Sequence, residues 1–148
     1  MDSSEMDGYL PSALGAWRNR WSSRLAAAGV ELHWQVDDSL DDARLPGDVT
    51  LQVMRILQEA TTNIIKHSRA ANMTVRARVD GGAGGGRLML EVADDGVGLQ
   101  TPAADSGNRG TKNMHYRARQ IAAELRIDHG AERGTQVVLS VPVARAAG

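Results

Sequence analysis

The sequence predicts a two-layer α+β sandwich, a mixed β-sheet with its helices on one face. Three observations point there. Apolar residues recur at three- and four-residue spacing in three segments, as they do on one face of a helix. In other segments apolar and polar residues alternate, as in half-buried strands. The segments follow one another as α-β-α-β-β-α-β-β, for which helices packed on one face of a mixed sheet is the economical arrangement. A chain of 148 residues with 42% hydrophobic residues suits one globular domain.

Residues 1–10 are polar and read as a frayed end or an expression remnant, 11–145 as the domain and 146–148 as a tail. In the helix predicted over 11–28, Leu14, Trp17, Trp21, Leu25 and Ala28 share a face, and Gly29 stops it. Trp17 and Trp21 are expected to pack on the sheet rather than on another domain. Val30 to Val36 alternates as a strand, and Asp37 to Asp42 with Pro46-Gly47 form a loop. Asp48 is a cap or first-turn acid for a long amphipathic helix over Val49 to His67. Met73 to Val79 and Leu88 to Ala93 are two strands of a hairpin whose tip, Gly81 to Gly86, needs only an exposed turn. Residues 96–112 lack periodicity, and a loop of that length is often a lid or a binding loop. A helix over Asn113 to Leu125, a short strand over Arg126 to His129, a turn and a last strand over Thr135 to Val143 complete the order.

Composition removes several classes of function. Seventeen Lys and Arg against 18 Asp and Glu leave a net charge of -1, and aromatics are 3% with no Phe. Neither an electrostatic footprint for nucleic acid nor a base-stacking platform is present. With no Cys, disulfides, thiolate nucleophiles and Cys-built zinc sites are impossible. No apolar run approaches the roughly 20 residues of a membrane span, and the expectation is a cytoplasmic domain without membrane contact.

Three clusters carry potential chemistry. Glu59, Asn63, Lys66 and His67 fall at i, i+4, i+7 and i+8, one polar stripe on an otherwise apolar helix. It is either a solvated face or an oxygen donor for Mg²⁺ (Asn63), an orienting carboxylate (Glu59) and cations for phosphate. Asp94-Asp95-Gly96-Val97-Gly98 follows an apolar strand. It is either an ordinary Asp-Gly turn or a carboxylate acceptor for a base amino group, with glycines that admit a ligand to the backbone. Gly107 to Asn113 runs glycine-rich into a helix N-terminus, an anion site in form. Gly134-Thr135 opens the last strand, as a hairpin turn or a fourth wall.

In this order and spacing the clusters resemble one family. "LQEATTNIIKHSRA" and "GTKNMHYRARQIAAEL" are similar to the ATP-binding catalytic domain of bacterial sensor histidine kinases, in the GHKL ATPase superfamily, and most similar to its nitrate-sensor-like subfamily. The resemblance runs from about Leu10 to Val143 and implies the Bergerat ATP-binding fold. It implies Glu59 as base or orienting carboxylate, Asn63 on Mg²⁺, and Lys66 and His67 near the phosphates. Asp94 would accept from the adenine amino group, Gly96 and Gly98 would shape the adenine pocket, and residues 99–109 would be the ATP lid. Gly110 and Thr111 would start the phosphate-side helix, and Thr135 would close the pocket.

Where the family carries Gly-x-Gly-Leu in the lid, this chain has Asn108-Arg109-Gly110-Thr111. None of His33, His67, His115 and His129 has the acidic, N-terminal helical context of a phosphoacceptor. The resemblance therefore implies an excised catalytic domain, monomeric by itself, that uses ATP and Mg²⁺. The acceptor would be a histidine on an absent dimerisation domain, and a response regulator would act downstream; the full-length protein could be membrane-anchored. Two other readings stand beside it: an anti-sigma-type serine kinase, and a non-catalytic, nucleotide-dependent interaction module.

Overall fold

The structure, a computed structural model, describes residues 9–81, 86–97, 109–129 and 134–145. Helix α1 spans Leu10–Ala27 and strand β1 Glu31–Val36. A 3₁₀ turn at Asp38–Asp42 leads to the short strand β2, Ala43–Arg44. Helix α2 spans Gly47–Asn63 and continues into a π-helical turn, Ile64–Ser68. Strands β3 (Asn72–Asp80) and β4 (Gly86–Asp94) follow, then α3 (Arg109–Gln120), β5 (Glu124–His129) and β6 (Thr135–Arg145).

β1 lies parallel to β3, and α2 sits in the crossover between them, as a parallel pair requires. β4 runs antiparallel to both β3 and β6, and β6 also pairs antiparallel with β5 and, through its last two residues, with β2. The register gathers the apolar residues on one face. Trp34, Val75, Val92, Val137 and Ile127 form one row across the five strands, and Val36, Ala77, Leu90, Leu139 and Leu125 the next. The other face is polar: Arg76 Nε donates to Gln35 Oε1 at 2.8 Å, and Gln136 Nε2 to Glu91 Oε1 at 2.8 Å. The helices cover the face that needs burial, and the fold is the predicted α+β two-layer sandwich.

α2 buries Val53, Ile56, Leu57 and Ala60 against this seam, and the π turn adds Ile64. Full burial of such an aliphatic side chain contributes roughly 1.5–3 kcal/mol. α3 adds Met114 and Ala118, and Arg117 Nη1 donates to Gln52 Oε1 at 3.1 Å to hold α3 on α2. α1 buries Leu10, Leu14, Trp17, Trp21 and Leu25. Trp17 stacks on Trp34 of β1 with ring centroids 5.8 Å apart, so the tryptophans pack on the sheet.

Several boundaries differ from those predicted. α1 starts at Leu10, which is almost fully buried. The expected loop after β1 contains the 3₁₀ turn, which buries Leu40, and β2. Asp48 is a first-turn acid and not a cap: α2 begins after Pro46, with no side-chain cap bond. α3 starts at Arg109, four residues ahead of the predicted Asn113, and ends at Gln120 rather than Leu125. Ala122 takes a left-handed φ of 54° and the Ala123 N–H returns to Ala118 O at 2.9 Å. That releases Glu124 and Leu125 to pair with Ser140 and Leu139 of β6, and the ladder overrides local helix propensity. Among the described residues no helix is long and apolar enough to cross a membrane.

Candidate functional site

The end of β4 carries two adjacent aspartates with opposite surroundings. Asp95 is exposed yet fully engaged: its Oδ1 accepts the Ala71 and Asn72 N–H groups, both at 2.9 Å, and its Oδ2 accepts Asn72 Nδ2–H at 2.8 Å. Hydrogen bonds from the Asn72 side chain and backbone, then from Ala71, hold its carboxyl below the ordinary carboxylate range. Asp94 is half-buried, and burial pushes its carboxyl up, against hydrogen bonds from the Gly96 and Thr135 backbone N–H groups; the Asp95 charge adds to the rise. The Gly96 bond to Asp94 Oδ1 is 2.8 Å long.

Backbone pins the turn to the end of α2. The α-helix stops at Asn63, and the wider π turn ends in Arg69, whose φ of 56° reverses the chain toward β3. Ser68 is buried; its hydroxyl donates to Ile64 O at 2.8 Å and accepts the Ala70 N–H at 3.1 Å. Its carbonyl accepts the Val97 N–H at 2.7 Å. A Cβ at Gly96 would collide with that same carbonyl, so only glycine fits. Gly134, at φ 88°, lies equally close to the Asp94 carbonyl, which brings the start of β6 and the Thr135 N–H onto Asp94.

Three of the sequence-derived residues, Asp94, Gly96 and Thr135, are thus joined by hydrogen bonds. Glu59 and Asn63 are half-buried on the last α-helical turns of α2. Lys66 and His67 are exposed on the π turn, so the four residues are not one continuous α-helical stripe. The change of helical pitch at Ile64 is the reason. Lys66, His67 and Arg69 make an exposed polar edge, with two cations, around the buried Ser68. Gly110 and Thr111 are the second and third residues of α3, whose first turn holds no acid and whose dipole favours an anion there. Thr111 is 6% exposed. Gly98 and lid residues 99–108 lie outside the described residues. Reading the sequence missed Ser68 and Asn72. No local pattern ties residue 72 to a carboxylate 23 positions later, because strand pairing makes that neighbourhood.

The sequence family described as histidine kinase-, DNA gyrase B-, and HSP90-like ATPase matches residues 48–145, about two thirds of the chain. The chain belongs to this family. Its curated relatives include the sensor protein NarQ homolog of Haemophilus influenzae, 33% identical over 111 residues that make up 75% of this chain and 19% of the relative. The sensor histidine kinase LiaS of Bacillus subtilis is 27% identical over 77% of this chain and 29% of its own length. The ATPase-family chain therefore spans less than a third of the relatives it matches. Among solved structures, the catalytic domain of the histidine kinase ThkA has the same fold. Its TM-score is 0.69 at 10% identity, over 93% of this chain and 95% of that one. Full-length ShkA, solved with AMPPNP, gives a TM-score of 0.68 at 21% identity over 88% of this chain and 29% of that one.

α1 and β1 precede the matched residues, whereas the Asp94 turn, α2 and α3 all lie within them. The residues present fit a nucleotide: a half-buried carboxylate steadied by two backbone N–H groups can accept from an amino-bearing heterocycle, and tight glycine backbone walls it. They also fit a metal held chiefly by phosphate. Among the described residues no three His, Cys, Asp or Glu side chains group to hold an ion, and Asn63 carries an amide oxygen that a phosphate-held metal could share.

Proposed function

We propose that this chain is the ATP-binding catalytic domain of a two-component sensor histidine kinase. It passes the γ-phosphoryl of ATP to a histidine on a separate dimerisation and phosphoacceptor domain, from which a response regulator is then served. The observation that carries the reading is the presentation of one aspartate: Asp95 is consumed by the fold, and Asp94, half-buried at the strand end, keeps acceptor capacity.

In this reading Asp94 accepts from the adenine amino group, and Gly96 and Thr135 set its position through their N–H groups. Gly98, beyond Val97, lets the base lie against backbone. Lys66 and His67 meet phosphate charge, and Gly110 and Thr111 offer the positive end of α3. Mg²⁺, when bound, neutralises charge on the β- and γ-phosphates. Asn63 is the side chain that would hold it. Glu59, one turn back, orients the attacking group. The acceptor imidazole nitrogen bonds the γ-phosphorus as the bond to the ADP oxygen breaks. Positioning and charge stabilisation are what this asks of the domain, and no covalent nucleophile is needed.

Titration calorimetry with a non-hydrolysable ATP analogue, with and without Mg²⁺, tests the reading. Saturable binding that Asp94→Asn removes is expected. Label transfer from γ-labelled ATP to an added acceptor-helix fragment, in acid-labile form, is the second expected result. Acid-stable phosphoserine on a partner would favour the serine-kinase reading. Binding without any transfer would favour a nucleotide-dependent interaction module.

A further inference from the structure

Asn72, the first residue of β3, sits between two groups that fix its amide unambiguously. Its nitrogen faces Asp95 Oδ2 at 2.8 Å, and a carboxylate only accepts, so Nδ2 must be the donor. That turns Oδ1 toward His33 of β1, whose Nε2 lies 2.8 Å away and must then carry the proton. His33 Nε2 also stands 3.4 Å from Glu31 Oε2. The Asn72 backbone contributes twice more: its N–H donates to Asp95 Oδ1 at 2.9 Å, and its carbonyl accepts the Asp95 N–H at 3.3 Å. One residue therefore clamps both the carboxylate and the main chain of Asp95, next in sequence to Asp94.

We infer that Asn72 is a positioning residue for nucleotide binding: its carboxamide, oriented by His33, decides which of the two adjacent carboxylates the turn presents to the ligand. The inference rests on the reading of Asp94 as the nucleotide's acceptor. While Asn72 holds Asp95 at the root of β3, Asp94 alone keeps free acceptor capacity. Without the Asn72 amide, Asp95 Oδ2 loses its donor and its carboxylate is held through Oδ1 alone, free to turn beside Asp94 and disturb the target of the Gly96 and Thr135 N–H groups. The direction of the Asp94 carboxylate, not its identity, is what Asn72 supplies.

The test is a pair of substitutions that exchange amide and carboxylate. Asn72→Asp sets a carboxylate against Asp95 and removes the Nδ2 donor. Asn72→Asp combined with Asp95→Asn restores the pattern in reverse. The carboxamide at position 95 donates to the carboxylate at 72, its oxygen still accepts the two backbone N–H groups, and His33 still donates to position 72. Binding of a non-hydrolysable ATP analogue is measured by calorimetry well below each variant's melting temperature. The Gly96 amide resonance reports on the Asp94 bond. Asn72→Asp is expected to weaken binding about tenfold and shift the Gly96 resonance, and the exchanged pair to return both to within about threefold of the starting affinity.

A melting temperature that falls while affinity and the Gly96 resonance stay put overturns the inference, because Asn72 would then serve the fold alone. Failure of the folded exchanged pair to regain affinity overturns it too. Wild-type protein and Asp94→Asn run alongside: equal binding by the two, or none by either, removes the nucleotide reading itself and the inference with it.

Discussion

Two junctions between a helix and the sheet in this molecule are made of different material. At the α1–β1 junction the contact is side chain on side chain. Trp21, Trp17 and Trp34 stack with centroids 6.1 and 5.8 Å apart, the Arg24 guanidinium lies over Trp21 and that of Arg18 over Trp34. Every tryptophan in the chain is there. Where the end of α2 meets the Asp94 turn, the contact is backbone on backbone. The Ser68 carbonyl takes the Val97 N–H, and glycine stands wherever a Cβ would collide. The first junction gains stability from apolar and aromatic area. The second leaves little freedom to the peptide groups around Asp94 and commits the Asp95 carboxylate to the fold, which keeps the Asp94 carboxylate available. The difference follows the family match, since α1 and β1 fall outside residues 48–145 and the turn falls inside them.

Removing the tryptophan stack is the strongest way to break the comparison. Trp17→Ala is expected to cost about 3–5 kcal/mol in a urea unfolding titration, by lost burial and the cavity left behind. Nucleotide affinity of the folded fraction is expected to stay within about threefold, a separation that coupled junctions would violate. Gly96→Ala is the reverse case. Its methyl meets the Ser68 carbonyl, so turn and helix end must part, and a loss of about 1–3 kcal/mol is expected together with loss of nucleotide binding.

Asp94→Asn sharpens the contrast through its sign. The folded-state pKa of Asp94 is raised, mainly by burial, so the ionised carboxylate is disfavoured in the native state at neutral pH. That cost is absent below the unfolded pKa and sets in as pH rises through the folded one. Asp94→Asn should therefore melt slightly higher than wild type at pH 7, with the gain gone by about pH 3, in differential scanning calorimetry. Asp95 has the opposite sign: its depressed pKa gives stability above the unfolded value, lost as pH falls through the folded one. The smallest effect belongs to Arg69→Gly. Its left-handed φ of 56° costs an L-residue about 1–2 kcal/mol, largely offset by glycine's greater unfolded-chain entropy. A gain of about 0.5 kcal/mol by thermal melting is expected.

Periodicity in the sequence was enough for the sandwich and its element order, because alternation over Met73 to Val79 and helical spacing over Leu51 to Ile65 are local properties of burial. It misplaced the boundaries of α3 and β5, where Ile121-Ala-Ala-Glu-Leu has helical propensity and β6 supplies a competing ladder. The candidate positions Asp94, Gly96 and Thr135 were likewise legible as motif residues, since carboxylates and glycines at strand ends carry recognisable chemistry. What only the tertiary structure decided is the state of those groups. The sequence singles out Asp94 and gives Asp95 no role, and the fold makes Asp95 a structural clamp and Asp94 a half-buried acceptor. The partners that do so, Asn72, Ala71, Ser68 and Thr135, come from chain segments 23 to 41 residues away. Hydrogen bonding and desolvation act through space, and sequence distance carries no record of them.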